Sequence, residues 1–141
     1  MMKTWPFAKV SRLTRDERLL LLRTSVLLAI ASAAVAFLPF RFAIRIGCAP
    51  VRRKALGTID CWVWAVEATS RRLPWRTMCI QKGLVVQRLL RTGGIDAVLH
   101  YGARHDPEHG ILEAHVWITA DGEPVIGGAE AADFAEVATY P

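Results

Sequence analysis

The 141-residue sequence predicts an α+β fold, in which helices come first along the chain and antiparallel strands follow. Up to about residue 92 the apolar residues recur at helical spacing, whereas from residue 95 onward they alternate with polar ones, as in a half-buried strand. An Asp-Gly pair at 121–122 then indicates a tight hairpin turn. A chain of this length forms one domain that can build a core without disulfides.

The first helix is predicted to begin at Thr14. Thr14 and Glu17 have the spacing of a capping box, in which each side chain satisfies a backbone amide at the helix start. The apolar run Leu19–Leu38 follows, and Pro39 ends it because proline has no amide proton to donate. This run is about long enough to cross a bilayer. Because Arg23 and hydroxyl side chains interrupt it, we favour a helix that packs on the domain or on a partner protein.

Two more helices are predicted before the strands. One lies within residues 49–72, where the apolar spacing is closer to helical than to alternating. The other spans about 78–91, with Thr77 as its N-cap and Gly93-Gly94 as its left-handed stop. Strands are expected at 95–103, 112–119 and 124–126, with a polar loop at 104–110 and a tail after residue 128 that has room for one helical turn.

Charge and cysteine content restrict the partners and the compartment. The 18 Lys and Arg against 13 Asp and Glu give a net charge of +5, and the basic residues concentrate in the first half. A basic face can meet an acidic peptide, an anionic lipid surface or nucleic acid, or it can simply be solvated. Nucleic-acid binding is disfavoured because the aromatic residues do not alternate with the basic clusters.

Three cysteines, Cys48, Cys61 and Cys79, form no C-x-x-C pair, and their odd number argues against a disulfide framework or a cysteine-rich zinc site. A reducing compartment follows. No convincing secretory signal precedes the apolar run, so we expect a cytoplasmic protein and leave association with a membrane open. Among the histidines only His105 and His109 share a tight spacing, so neither a metal nor a cofactor is predicted.

Cys79 lies at the predicted start of the third helix. Unpaired amides and the helix dipole favour an anion there, so its thiol should ionise more readily than that of a free cysteine. The same amides are placed to hold the oxyanion that forms when a thiolate attacks a peptide carbonyl. An isolated helix cysteine, however, is more often a small apolar residue of the core.

His115 lies in the middle of a predicted strand and is flanked by apolar residues. If this strand lies beside the start of the third helix, the imidazole can accept the thiol proton of Cys79 and later donate it to the leaving amine. Alone, such a histidine is more often structural. A cysteine at a helix start followed by a histidine in a later strand is, however, the order found in papain-like and transglutaminase-like enzymes.

Several stretches around these two residues resemble the leader peptidase of lasso-peptide biosynthesis, a cysteine peptidase of the transglutaminase-like superfamily. The resemblance covers about residues 70–128, and the leucine-rich first helix with its Pro39 exit is also similar. Their order and spacing together, rather than any single motif, carry it. The stretches are Trp75–Leu84, Leu89–Ile95, Leu99–Arg104, Glu113–Ile118 and Asp121-Gly122.

The resemblance implies a transglutaminase-like or papain-like core, with Cys79 as nucleophile and His115 as base. It implies an enzyme that releases the leader from a lasso precursor peptide, so that a separate ATP-dependent lasso cyclase can join the new amine to an acidic side chain. The expected partners are that precursor, a separate leader-recognition protein and the cyclase. Residues 1–48 are then a basic and hydrophobic helical region, and 49–141 are the peptidase domain. The alternative is a membrane-associated scaffold of a peptide-maturation complex whose cysteine is inert.

The third member of the family's catalytic triad is missing from its usual place. The family has an Asp about a dozen residues after the histidine, and Gly127 or its neighbours occupy that position here. Asp121 lies at the hairpin tip, too far from His115. Either Glu130 or Asp133 in the tail, or a backbone carbonyl, orients the imidazole, or the site works as a dyad.

Overall fold

Helices precede a four-stranded antiparallel sheet in the computed structural model of the chain, which describes residues 13–51 and 58–141. The α+β class predicted from the sequence is thus confirmed. In chain order the elements are α1 (Arg15–Phe37), α2 (Phe40–Ala43), α3 (Ile59–Ser70), α4 (Cys79–Thr92), β1 (Ala97–Asp106), β2 (Ile111–Ala120), β3 (Glu123–Ile126) and β4 (Ala135–Tyr140), with 3-10 turns at Ile44–Ile46 and Ala131–Asp133.

The helix α1 begins with the predicted capping box. The Thr14 amide donates to the Glu17 carboxylate at 2.8 Å, and the Glu17 amide donates to the Thr14 hydroxyl at 3.2 Å. By length and composition α1 could cross a membrane, with a mean hydropathy of 2.1. In the structure one of its faces packs against α3 and α4. The buried residues of that face are Thr24, Leu28, Ala31 and Ala34.

The other two long helices differ slightly from the expected bounds. The helix α3 begins at Ile59, and the part of that prediction on residues 52–57 lies outside the described residues. The predicted N-cap of α4 is wrong, because Met78 rather than Thr77 occupies that position. The Gln81 side chain accepts a hydrogen bond from the Met78 amide and so supplies the cap. At the other end Gly94 has a φ of 93°, the left-handed stop that was expected.

The sheet has the strand order β3-β2-β1-β4. Asp121 and Gly122 have φ values of 53° and 82°, which is the geometry of the expected hairpin turn between β2 and β3. The predicted polar loop at 104–110 is too long, because β1 and β2 remain paired as far as Asp106 and Ile111. Within this paired stretch, Arg104 and Glu113 form an ion pair at 2.6 Å. The tail contains the single helical turn but also β4, which was missed and which pairs with β1.

The core lies between the helices and one face of the sheet. Leu28 of α1, Leu84 and Leu89 of α4, and Leu99 of β1 belong to one buried cluster. The helix α4 approaches β2 closely because Gly83 has no side chain: a Cβ there would lie 2.7 Å from a methyl carbon of Val116. This contact fixes the position of the first turn of α4 relative to the middle of β2.

Candidate active site

Cys79 is the first residue of α4, and its side chain is half-buried. The first amides of a helix have no acceptor within the helix, and they point toward a group bound at its start. Gly83, one turn further along, docks α4 on Val116, the residue next to His115. The fold therefore presents the thiol at a helix N-terminus that is held against the strand with the histidine.

The His115 side chain is mostly buried, with 14% of its surface exposed. Its Nε2 lies 2.7 Å from the backbone oxygen of Gly127. A carbonyl oxygen only accepts hydrogen bonds, so Nε2 carries the proton and donates it. In the neutral ring the lone pair then belongs to Nδ1, which is the nitrogen that can accept a proton.

Two aromatic rings fix the plane of this imidazole. The Trp117 ring lies 6.1 Å from the His115 ring, centroid to centroid, at an interplanar angle of 21°. The Phe134 ring lies at 5.1 Å and 30°. Contacts of this kind restrict rotation of the imidazole about its side-chain bonds. The histidine is thus held by one hydrogen bond and two ring contacts.

Gly127 lies in the segment where the resemblance would place the family's Asp, and its backbone leaves no room for a side chain. Its φ is 71°, and a Cβ would lie 2.7 Å from the backbone oxygen of Val116. The backbone carbonyl of this residue faces the His115 imidazole. Of the open alternatives for orienting the imidazole, the backbone carbonyl makes the hydrogen bond.

Of the acids considered from the sequence, Glu130 lies near the imidazole. One of its carboxylate oxygens is 3.8 Å from Nε2 of His115, and 62% of its side chain is exposed. Asp121 is in the hairpin turn. Asp133 lies near Arg104, whose pKa is raised chiefly by its hydrogen bond to Glu113 and further by the charges of acids that include Asp133.

Cys79 and His115 line the same cavity, which has a volume of about 260 Å³. The strand β3 pairs only with Ile118–Ala120 of β2, and the cavity lies beyond the end of this pairing. In the described ranges, 13–51 and 58–141, the thiol makes no hydrogen bond to the imidazole. The structure thus brings the two predicted residues to one site, and their catalytic roles stay predictions. The lining residues are Glu67, Cys79, Lys82, His115, Val116, Ile126, Gly127 and Glu130.

Two charged residues of this cavity were not identified from the sequence. Lys82 lies three residues after Cys79, on the same face of α4, and its ammonium group is 3.6 Å from the Glu67 carboxylate of α3. The wall of the cavity therefore carries one positive and one negative charge, which face each other. The spacing from Cys79 was a signal for Lys82, whereas only the packing of α3 on α4 reveals Glu67.

Cys48 and Cys61, and the closely spaced His105 and His109, do not line this cavity. Burial raises the pKa of the Cys61 thiol, and the charge of Glu17 raises it further, so this thiol is kept protonated. Cys48 is exposed, and its thiol donates to the Ile44 oxygen at 3.5 Å. His109 pairs with Asp106 at 2.6 Å. Outside 1–12 and 52–57, no three His, Cys, Asp or Glu side chains are grouped as metal ligands.

Comparison with known proteins identifies the family but no individual relative. The model of a family described as the transglutaminase-like superfamily matches residues 20–139, which is most of the chain. No curated protein and no solved structure matches the chain. Members of this superfamily are often cysteine peptidases or transglutaminases. With its helix-start cysteine and strand histidine in one cavity, the chain belongs to the transglutaminase-like superfamily.

Proposed function

We propose that this protein is a cysteine endopeptidase that removes the leader from a ribosomally synthesised lasso precursor peptide. The observation that carries the peptidase activity is the cavity shared by the thiol of Cys79 and the imidazole of His115. The choice of substrate rests on the resemblance of residues 70–128 to the lasso leader peptidases. The superfamily assignment supports the peptidase class.

In the proposed mechanism the Nδ1 atom of His115 takes the proton of the Cys79 thiol. The thiolate then attacks the carbonyl carbon of the last leader residue, and amides at the start of α4 hold the oxyanion. The imidazolium donates its Nδ1 proton to the leaving amine, which frees the core peptide and leaves a thioester. Water, deprotonated by the same nitrogen, hydrolyses this thioester and regenerates the thiol.

The carbonyl of Gly127 and the carboxylate of Glu130 are positioning groups in this mechanism. The carbonyl keeps the proton on Nε2 and so keeps the lone pair on Nδ1. The nearby Glu130 charge stabilises the imidazolium that forms when Nδ1 accepts the thiol proton. Its effect is limited because the carboxylate is largely exposed and water screens it.

The cavity is smaller than most small-molecule sites, which measure about 300–1,000 Å³. From the resemblance we propose that a separate leader-recognition protein holds the leader, and that a separate lasso cyclase takes the released core. The substrate is the precursor peptide, and neither nucleic acid nor a cofactor has a role.

The test is leader release, followed by mass spectrometry, with the precursor and the leader-recognition protein present. The variant Cys79→Ala should release no leader above the uncatalysed level. The matched control Cys48→Ala removes an exposed thiol outside the cavity and should cleave at the rate of the unaltered chain. Leader release by Cys79→Ala at a rate close to that of the control would reject the proposal.

A membrane-associated scaffold with an inert cysteine is the second candidate. The apolar surface that α1 leaves exposed favours it, with Leu22 and Phe37 among the exposed side chains. The same experiment separates the two functions. A scaffold keeps its biological effect on peptide maturation when Cys79 is replaced by alanine, whereas the peptidase loses it.

A further inference from the structure

The helix α1 has a second apolar face that nothing in the described chain covers. Opposite the buried face, large apolar side chains recur every three or four residues along the first part of the helix, and Phe37 lies near its end. Phe37 is 85% exposed and Leu22 is 63% exposed. We call this surface the outer face of α1; it consists of Leu19, Leu22, Val26, Ile30 and Phe37.

The short helix α2, which follows α1, adds an exposed aromatic ring and positive charge. Phe42 of α2 is 41% exposed, whereas the Phe40 ring packs on Tyr101 and Tyr140 of the sheet, with ring centroids 5.4 Å and 5.9 Å apart. The guanidinium of Arg41 lies 4.8 Å from the centre of the Phe42 ring, and that of Arg45 lies at 5.6 Å. An aromatic ring with stacked guanidinium groups matches the boundary between acyl chains and headgroups, where the ring is buried and the cation meets phosphate.

The charge of this part of the sequence points to an anionic partner. Between Glu17 and Asp60 the sequence contains no Asp or Glu, whereas it contains seven Lys and Arg residues. An exposed apolar face that is followed by an acid-free basic segment is complementary to a surface of acyl chains and anionic headgroups. A protein partner would instead have to supply an apolar groove and acidic side chains together.

We propose that the outer face of α1, together with Phe42, docks on an anionic lipid surface, with α1 lying in the plane of that surface. Thr24, Leu28 and Ala31 on the opposite face are fully buried against the domain. To span the bilayer, α1 would have to leave α3 and α4 and expose their core. Docking in the plane keeps this core intact and holds the cavity of Cys79 near the membrane.

The first test is co-sedimentation of the full chain with vesicles of phosphatidylcholine, with or without phosphatidylglycerol. We expect binding to the vesicles that contain phosphatidylglycerol and weaker binding as salt is added. Replacing three side chains of the outer face, Leu22→Gln, Val26→Gln and Ile30→Gln, should weaken this binding about tenfold or more, because the buried apolar area is lost. Far-UV circular dichroism verifies that the triple variant is folded.

The control triple variant carries Ile111→Gln, Leu112→Gln and Val137→Gln, which replace equally exposed apolar side chains of the sheet. It should bind vesicles as the unaltered chain does. Equal losses in the two triple variants would overturn the proposal, because binding would then follow general hydrophobicity.

A second pair of variants tests the charge. Arg41→Gln should weaken binding to phosphatidylglycerol vesicles about fivefold, the usual effect of one basic residue near an anionic surface. Arg104→Gln is the control, because its guanidinium also stacks on a phenylalanine, at 4.6 Å from the Phe134 ring. We expect no change in binding for Arg104→Gln. An equal effect of both variants would contradict docking through α1 and α2.

Two further results would overturn the proposal. Failure of the unaltered chain to bind any vesicle, combined with loss of leader-recognition protein binding in the outer-face variant, would assign this face to a protein. Resistance of the bound chain to extraction with alkaline carbonate would indicate a spanning helix. Vesicle binding does not require Cys79, so it can fail or succeed independently of the peptidase proposal.

Discussion

His100 and His115 lie on the same face of the neighbouring strands β1 and β2, and both rings are close to Trp117, yet their nitrogens are used differently. His100 is bonded at both nitrogens, with Nδ1 2.7 Å from Glu136 and Nε2 2.8 Å from the Thr119 hydroxyl. Within residues 13–51 and 58–141, His115 is hydrogen-bonded at Nε2 and not at Nδ1, and it lines a cavity with Cys79. A histidine bonded at both nitrogens is suited to stabilising a fold, whereas one with an unbonded nitrogen that lines a cavity together with a thiol is a candidate for proton transfer.

The largest expected effect is the loss of catalysis when His115, but not His100, is replaced by alanine. His115→Ala removes the base and should lower kcat by about 10³-fold, and it should lower the free energy of unfolding by about 1–2 kcal/mol, because one hydrogen bond and two ring contacts are lost. His100→Ala should lower that free energy by about 1–3 kcal/mol, because two hydrogen bonds are lost, and should retain most of the activity. Leader-release kinetics and urea unfolding measure both. A larger loss of kcat in His100→Ala would reverse the assignment.

The second largest expected effect concerns the carbonyl of Gly127, which accepts a hydrogen bond from His115. Gly127→Ala places a Cβ against the Val116 oxygen and should move the carbonyl from Nε2 of His115, lowering kcat about tenfold to a hundredfold. Stability should fall by about 1–3 kcal/mol. The control is Gly110→Ala, because Gly110 has a similar φ of 64° but no neighbour within 4 Å of its Cβ. If both variants cleave equally well, the carbonyl does not position the imidazole.

A glutamate lies near each of these two histidines, Glu130 near His115 and Glu136 near His100. Replacing the two glutamates should have different effects. Glu130→Gln removes the charge beside the proposed imidazolium and should lower kcat about tenfold or less, with KM and stability unchanged. Glu136→Gln weakens the ion pair of His100 and should lower only stability, by about 1 kcal/mol or less. A fall in kcat for Glu136→Gln alone would indicate that the His100 pair acts on the reaction.

The smallest effect concerns a third histidine at the exposed end of the sheet. The hydrogen bond from His109 lowers the pKa of the Asp106 carboxyl below its ordinary value of 3.8. A lowered pKa stabilises the fold above the pKa of the unfolded chain, and this contribution is lost as the pH falls through the folded-state pKa. In His109→Ala an NMR titration should show the Asp106 pKa shifted upward. An unchanged value would mean that the pair does not form in solution.

Local signals made the first helix and the hairpin predictable. Thr14 and Glu17 are close in sequence and cap each other, and Asp121-Gly122 encodes a turn by its own backbone preferences. The strand β4 was missed because it is short and is stabilised by pairing with β1, about forty residues earlier in the chain. The elements that were predicted are encoded by residues close together in the sequence. The missed strand depends instead on a partner strand that is far away in the sequence.

The candidate site was only partly predictable, because some of its contacts join residues that are far apart in the sequence. Cys79 and His115 were predicted from the elements that carry them and from the resemblance to a family. The role of the Gly127 carbonyl depends on how the chain leaves β3, and the approach of Glu67 to Lys82 depends on how α3 packs on α4. Neither arrangement has a local sequence signature, so both required the structure.

The central claim is that Cys79 forms a covalent intermediate with the leader, assisted by His115. The most direct measurement is rapid quenching of the reaction in acid, followed by mass spectrometry of the intact protein and of its peptides. The account predicts a leader acyl group on Cys79 in the unaltered chain, and much slower formation of this adduct in His115→Ala. Leader release without any adduct on Cys79, or an adduct on Cys48 or Cys61 instead, would contradict it.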